Sequence, residues 1–135
     1  MTLLSPQWYN APEKMEAEKR AQAVYLQLVL PGRRECNIGV FLLDQETGGL
    51  FFKLREDWEQ IADPDEAELL SQLRGDFERR LQELGENRGE EFLRSLEDQL
   101  SNILRLTDRV SVRVKDLQST LDRLFEQNCV SLQRS

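Results

Sequence analysis

The sequence predicts an α+β fold: an antiparallel sheet of about four strands, in the order β-β-β-α-α-β-α, with helices packed on one face. Three observations predict it. Apolar runs of strand length occupy residues 24–55, interrupted by Pro31-Gly32 and by Gln45-Glu46-Thr47-Gly48-Gly49. Leucines and phenylalanines then recur at helical spacing over residues 63–104. A clean alternation of Val110, Val112 and Val114 returns near the C-terminus. At 135 residues the chain is one domain. That domain is expected over 23–130, after a mobile or loosely docked arm at 1–22 and before a tail at 131–135.

The elements follow in order. Residues 1–20 are polar and contain Pro6 and Pro12, with helix-favouring residues from Glu13 to Arg20 and an aromatic pair, Trp8-Tyr9, able to dock on the body of the domain. Val24–Leu30, Cys36–Leu43 and Leu50–Arg55 read as strands, and their short connections make antiparallel neighbours. Asp63-Pro64-Asp65-Glu66 is a helix start, with a capping aspartate, proline at the first helical position and acids at the positive end of the dipole. Leu69, Leu70, Leu73, Phe77, Leu81 and Leu84 continue that helix to Gly85. Gly75 within it is unfavourable by about 1 kcal/mol relative to alanine, which points to a close contact there. A second helix over 90–104 carries Phe92, Leu93, Leu96, Leu100 and Ile103 on one stripe. A strand over 109–114 and a helix over 116–127 complete the domain.

Composition excludes several functions. The chain has no histidine and only two cysteines. A histidine-based catalytic triad is therefore impossible, and a four-ligand zinc site has too few ligands. A net charge of −7 disfavours a duplex nucleic-acid binder, which relies on clustered Lys and Arg. The acidity is local: residues 56–100 carry five basic and fifteen acidic side chains, and the flanking segments are slightly basic. Its acid pairs, Asp65-Glu66 and Glu97-Asp98, fall on helices and read as solvated faces. No apolar run approaches the roughly 18 residues of a membrane span, and no secretory signal opens the sequence, so a cytoplasmic protein with reduced thiols is expected. A magnesium nuclease site fails as well. Asp44 and Lys53 lie on suitable strands, but Phe51 stands where the second carboxylate belongs.

Strict alternation assigns the strand side chains to two faces. Val24, Leu26, Leu28 and Leu30, then Cys36, Ile38, Val40 and Leu42, then Leu50, Phe52 and Leu54 form an apolar face that packs under the helices. The other face gathers Glu35, Asn37, Gly39, Phe41 and Leu43 beside Phe51, Lys53 and Arg55, with Arg113 from the fourth strand. An open face so rich in Phe and Leu calls for a cover. The Trp8-Tyr9 arm, a second copy and a partner protein are the three possible covers. Gly39 lets a backbone or ligand approach, and a cross-strand Glu–Lys or Glu–Arg pair is the plain structural alternative.

Tyr25-Leu26-Gln27-Leu28-Val29-Leu30-Pro31, followed by Glu35-Cys36-Asn37-Ile38-Gly39-Val40, resembles the opening of the bacterial domain-of-unknown-function family 3037. Leu106-Thr107 and Leu121-Asp122-Arg123-Leu124-Phe125-Glu126 are similar to that family's close, so the likeness spans about residues 24–130. The family pattern has one more residue between its glutamate and asparagine than lies between Glu35 and Asn37, and a histidine of its late strand region is absent here. The resemblance implies no established activity. Some members are encoded beside HipA-like kinases, which implies an accessory or regulatory role with such a kinase as partner.

The expected function is a non-enzymatic interaction or regulatory module, without cofactor or metal. Its contact is expected through Asn37, Gly39, Phe41, Leu43, Phe51, Lys53, Arg55, Glu35 and Arg113, with a protein partner or with a second copy. Two alternatives stand beside it. One is an enzyme or small-ligand domain using Glu35, Asn37, Lys53 and Arg55 beside Gly39. The other is an acidic helical surface that binds a basic partner.

Overall fold

The computed structural model describes residues 19–30, 32, 35–99 and 103–130. The expectations for Trp8, Tyr9, the remaining arm up to residue 18, Pro31, Leu100 and the tail lie outside these residues. The fold is α+β. Strands β1 (Lys19–Leu28), β2 (Cys36–Asp44) and β3 (Leu50–Leu54) are followed by helices α1 (Trp58–Ile61), α2 (Pro64–Leu70), α3 (Leu73–Leu84) and α4 (Gly89–Gln99). Strands β4 (Leu104–Leu106) and β5 (Val110–Val114), helix α5 (Leu117–Phe125) and a π-helical turn (Glu126–Val130) complete it.

All pairings are antiparallel, in the order β3-β2-β1-β4, with β5 also on β1. β1 is the central strand and begins at Lys19, so Lys19 and Arg20 extend the sheet rather than a helical turn. β4 and β5 lie end to end along its outer side. Thr107 bridges the gap between them: its N–H donates to the Tyr25 carbonyl at 2.9 Å, and its Oγ1 accepts from the Tyr25 N–H at 2.9 Å. β4 falls where the sequence suggested a helix end, because its Leu-Arg-Leu is too short for either periodicity to register.

One bulge decides the faces of the sheet. Leu26 pairs with Gly39 and Gln27 with Asn37, so Ile38 is an extra residue on β2. Alternation inverts at that point. Cys36 and Ile38 lie on the same face as Phe41 and Leu43, while Val40 and Leu42 pass to the other. Phe41 and Leu43, expected on an open face, are 0% and 5% exposed. Phe41 stands among the rings of Phe52, Phe77 and Phe92, with centroids 5.7–5.9 Å away. This is the larger core, closed by α1 to α4.

The helices cover both faces, where one was expected. On the second face Ala21, Ala23, Val40, Leu42 and Val114 meet Leu121 and Phe125 of α5 and Cys129 of the π-helical turn. The strand pattern explains this: β2 is apolar on both sides from Ile38 to Leu43, and such a strand needs two covers.

The expected 63–84 helix is two helices. Pro64 opens α2, and the Glu66 carboxylate accepts the Asp63 N–H at 3.0 Å. It ends at Ser71, whose hydroxyl turns back to the Glu68 carbonyl at 2.7 Å. Gly75 faces open space, so no close contact explains it. The close approach is at Gly89 instead, whose N–H donates to the Gly48 carbonyl at 2.9 Å and seats the start of α4 on the β2–β3 hairpin. Asp44 is buried in that hairpin as a turn organiser, accepting from the Glu46 N–H at 2.9 Å and the Thr47 hydroxyl at 3.1 Å.

Candidate functional site

The nine residues expected to form a contact face do not converge. Phe41 and Leu43 belong to the core, and Gly39 faces Leu54, where a Cβ would lie 2.3 Å from Leu54 Cδ2 and 3.1 Å from the Lys53 carbonyl. The tight approach at Gly39 is therefore to β3, not to a ligand. Arg113 pairs with Arg20 and so points to the side of the sheet opposite Val112 and Val114. It is separated from Lys53, which lies over Phe125 on the second face.

Glu35, Asn37 and Arg55 are each engaged inside the protein. Glu35 forms an ion pair with Arg105, whose Nε donates to Gln27 Oε1 at 3.0 Å. Gln27 Nε2 donates to Asn37 Oδ1 at 3.0 Å, and Asn37 Nδ2 donates to the Asn128 carbonyl at 3.2 Å. Asn128 Nδ2 in turn reaches the Tyr25 hydroxyl at 2.8 Å and the Leu124 carbonyl at 3.0 Å. Tyr25, Glu35 and Asn37, the polar residues singled out in the opening motif, thus tie β1, β2 and β4 to the C-terminal π-helical turn. Burial raises the Tyr25 pKa. Arg55, with a side chain 2% exposed, forks onto Asp57 through Nε at 2.8 Å and Nη2 at 2.5 Å. That bond to Asp57 raises its pKa against the opposing effect of burial. No two of these groups form an unpaired acid–base couple. The expected pairing of Glu35 with Lys53 or Arg55 is not formed: Lys53 holds Asp122, Arg55 holds Asp57, and the cation beside Glu35 is Arg105, since β4 flanks β1 at Gln27.

The cysteines are buried to different degrees. Cys36 is half-buried, and burial raises its pKa while Arg55 pulls it down. Cys129 is fully buried, and its thiol is pushed up to about 12, chiefly by burial. They are not bonded to each other. Among the described residues no three His, Cys, Asp or Glu side chains are grouped to hold a metal ion, and no helix is long and apolar enough to cross a membrane.

The remaining two residues, Phe51 and Lys53, mark an open site. β3 ends the sheet, and among the described residues no strand pairs with its outer edge. The Arg55 N–H donates to the Ile38 carbonyl and the Gly49 carbonyl accepts from Asp44, each at 2.8 Å. The odd-numbered residues of this segment therefore turn toward β2. Leu50, Phe52 and Leu54 direct their N–H and C=O groups outward. Two open depressions, of about 610 and 430 Å³, run along this edge and share Leu50 and Phe51. The second has Arg74 and Glu78 of α3 on one wall and Gln118 and Asp122 of α5 on the other.

Phe51 is 36% exposed at the junction of the two depressions. Lys53 reaches Asp122 at 3.1 Å and lies 5.1 Å from the centre of the Phe125 ring. Arg74 is held by Glu56 at 2.7 Å and Glu78 at 3.3 Å. The arrangement is a furrow between two helices, floored by a strand edge that no strand among the described residues pairs with. Its walls were not visible in the sequence, because Arg74 and Asp122 come from helices that approach only in the fold. The one local signal was Phe51, an apolar residue with no core position to fill.

A family model described as a protein of unknown function (DUF3037) matches residues 31–129, well over half of the chain. Comparison with the curated proteins and with the solved structures gives no match.

Proposed function

We propose, for a chain that belongs to the DUF3037 family of proteins of unknown function, a non-enzymatic protein-interaction module that takes an extended segment of a protein as an added strand on β3. The observation that carries this reading is the outward backbone of Leu50, Phe52 and Leu54 in a furrow open to solvent. Exposed edges of this kind are templates for strand addition, in which main-chain bonds supply affinity and side-chain pockets supply selectivity. Lys53 alone guards the strand centre, and its charge is already balanced by Asp122. The paired state of Glu35, Asn37 and Arg55 supports binding rather than catalysis, since each has an internal role. The setting proposed is the bacterial cytoplasm, with a HipA-like kinase as a first partner to offer.

The test is selection of displayed extended peptides against the full chain, followed by residue-resolved amide exchange. Bound peptides should slow exchange at Leu50, Phe52 and Leu54, and Phe51→Lys should weaken them. Peptides that protect other amides would overturn the reading, as would a selection that yields none while Leu50, Phe52 and Leu54 exchange without protection.

A further inference from the structure

We infer that the strand added to β3 is β3 of a second copy of this chain, paired antiparallel about a dyad at Phe52. The inference rests on the edge reading above and names its occupant. Leu50-Phe51-Phe52-Lys53-Leu54 is complementary to its own reverse. With Phe52 opposite Phe52, the outward groups of Leu50 and Leu54 meet those of Leu54 and Leu50 of the second copy, as hydrogen-bonded pairs. Phe51 then lies opposite Lys53 of the second copy in the closer, non-bonded position, with Cα atoms about 4.5 Å apart. That sets an ammonium already lying over Phe125 against a second aromatic ring.

The register is selected. Sliding the pairing by two residues toward the C-terminus opposes Lys53 to Lys53, and like charges directly across a ladder are unfavourable. Sliding it the other way leaves Lys53 and Leu54 opposite the Gly48-Gly49 turn.

The surroundings agree with self-pairing. A dyad normal to the sheet sets α3 beside α3 and α5 beside α5, as an isologous contact requires. The α3 wall carries both signs, Arg74 and Glu78, and the α5 side carries Lys53 and Asp122. No single-sign surface therefore faces itself. Elsewhere residues 56–100 hold fifteen acidic against five basic side chains, so two copies approaching by the outer helices would repel. The β3 edge is a place where that acidity is locally balanced.

Sedimentation of the full chain over a dilution series, with amide exchange at Leu50, Phe52 and Leu54, tests this. The mass should fall from twice that of the chain to that of the chain on dilution, and the three amides should lose protection in step. Phe51→Lys places a second cation opposite Lys53 and should hold the chain at single mass. Phe51→Lys combined with Lys53→Glu should restore the double mass. A single mass at every concentration, or a double mass that Phe51→Lys does not change, overturns the self-pairing. If the chain is single but displayed peptides still protect the three amides, only the identity of the occupant fails. If nothing protects them, the edge reading fails with it.

Discussion

Asn128 donates to the hydroxyl of Tyr25 at 2.8 Å, joining residues 103 positions apart in the sequence. The same side chain bonds the Leu124 carbonyl, and its backbone carbonyl accepts from Asn37. This node is where the widened turn after α5 meets the sheet. Asn128→Ala removes the side-chain bonds but leaves the carbonyl, and should destabilise the domain by about 1–2 kcal/mol. Tyr25→Phe should lose about half of that. Urea denaturation of the two variants checks the order, and amide exchange in residues 126–130 should rise in both.

The buried thiol sets an alkaline limit on stability. Cys129 is held up to about 12 in the folded chain against an ordinary value of 9.0, and Cys36 and Tyr25 are raised as well. A raised acid in the folded state keeps its proton while the unfolded chain loses it. The folded state then binds more protons, and stability falls as pH rises. Stability should hold below about pH 9 and decline between there and pH 12, with a flatter decline in Cys129→Ala. Denaturation midpoints across that range test the sign. In the native protein Cys36, half-buried, should alkylate before Cys129, which is fully buried.

Two glycines should respond to alanine with opposite signs. At Gly89 a Cβ would meet Leu43 Cδ1 at 2.7 Å, the Gly48 carbonyl at 2.8 Å and Leu50 Cβ at 2.8 Å. The backbone of the hairpin cannot retreat without losing the seat of α4, so Gly89→Ala should destabilise by about 1–3 kcal/mol. Gly75 is exposed within α3 and a Cβ there meets nothing. Gly75→Ala should stabilise by about 0.5–1 kcal/mol through helix propensity. Thermal melts of the two variants distinguish them directly.

Phe41 shows both what was legible in the sequence and where legibility stopped. Its strand, the neighbouring strands and the helical stripe of Phe77 and Phe92 all follow from periodicity. Its face does not. Ile38, Gly39, Val40, Phe41, Leu42 and Leu43 offer no polar residue to mark a side, so one bulge at Ile38 inverts the assignment unseen. The second cover, by α5, is hidden for the same reason. The furrow depends on that cover, since Asp122 reaches Lys53 across 69 positions. Phe41→Ala should therefore destabilise by about 3–5 kcal/mol as a core cavity. It should not produce a folded chain with altered association. Denaturation together with sedimentation separates the two outcomes.

Arg55 and Asp57 provide a last prediction. The guanidinium is 2% exposed and Asp57 27%, so the cation is the member that burial penalises. Removing its partner should leave a charge stranded beneath the sheet end. Asp57→Ala should destabilise by about 3–5 kcal/mol. Removing both charges, in Arg55→Met with Asp57→Ala, should recover most of that loss, because the desolvation penalty leaves with the pair. The two variants would match only if the pair acted as a surface bridge. The thiol of Cys36 supplies a second measurement. Arg55 lowers its pKa against the rise from burial, so Arg55→Met should raise the Cys36 pKa further and slow its alkylation at constant pH. An unchanged alkylation rate in a folded Arg55→Met protein would show that the cation exerts no pull on that thiol.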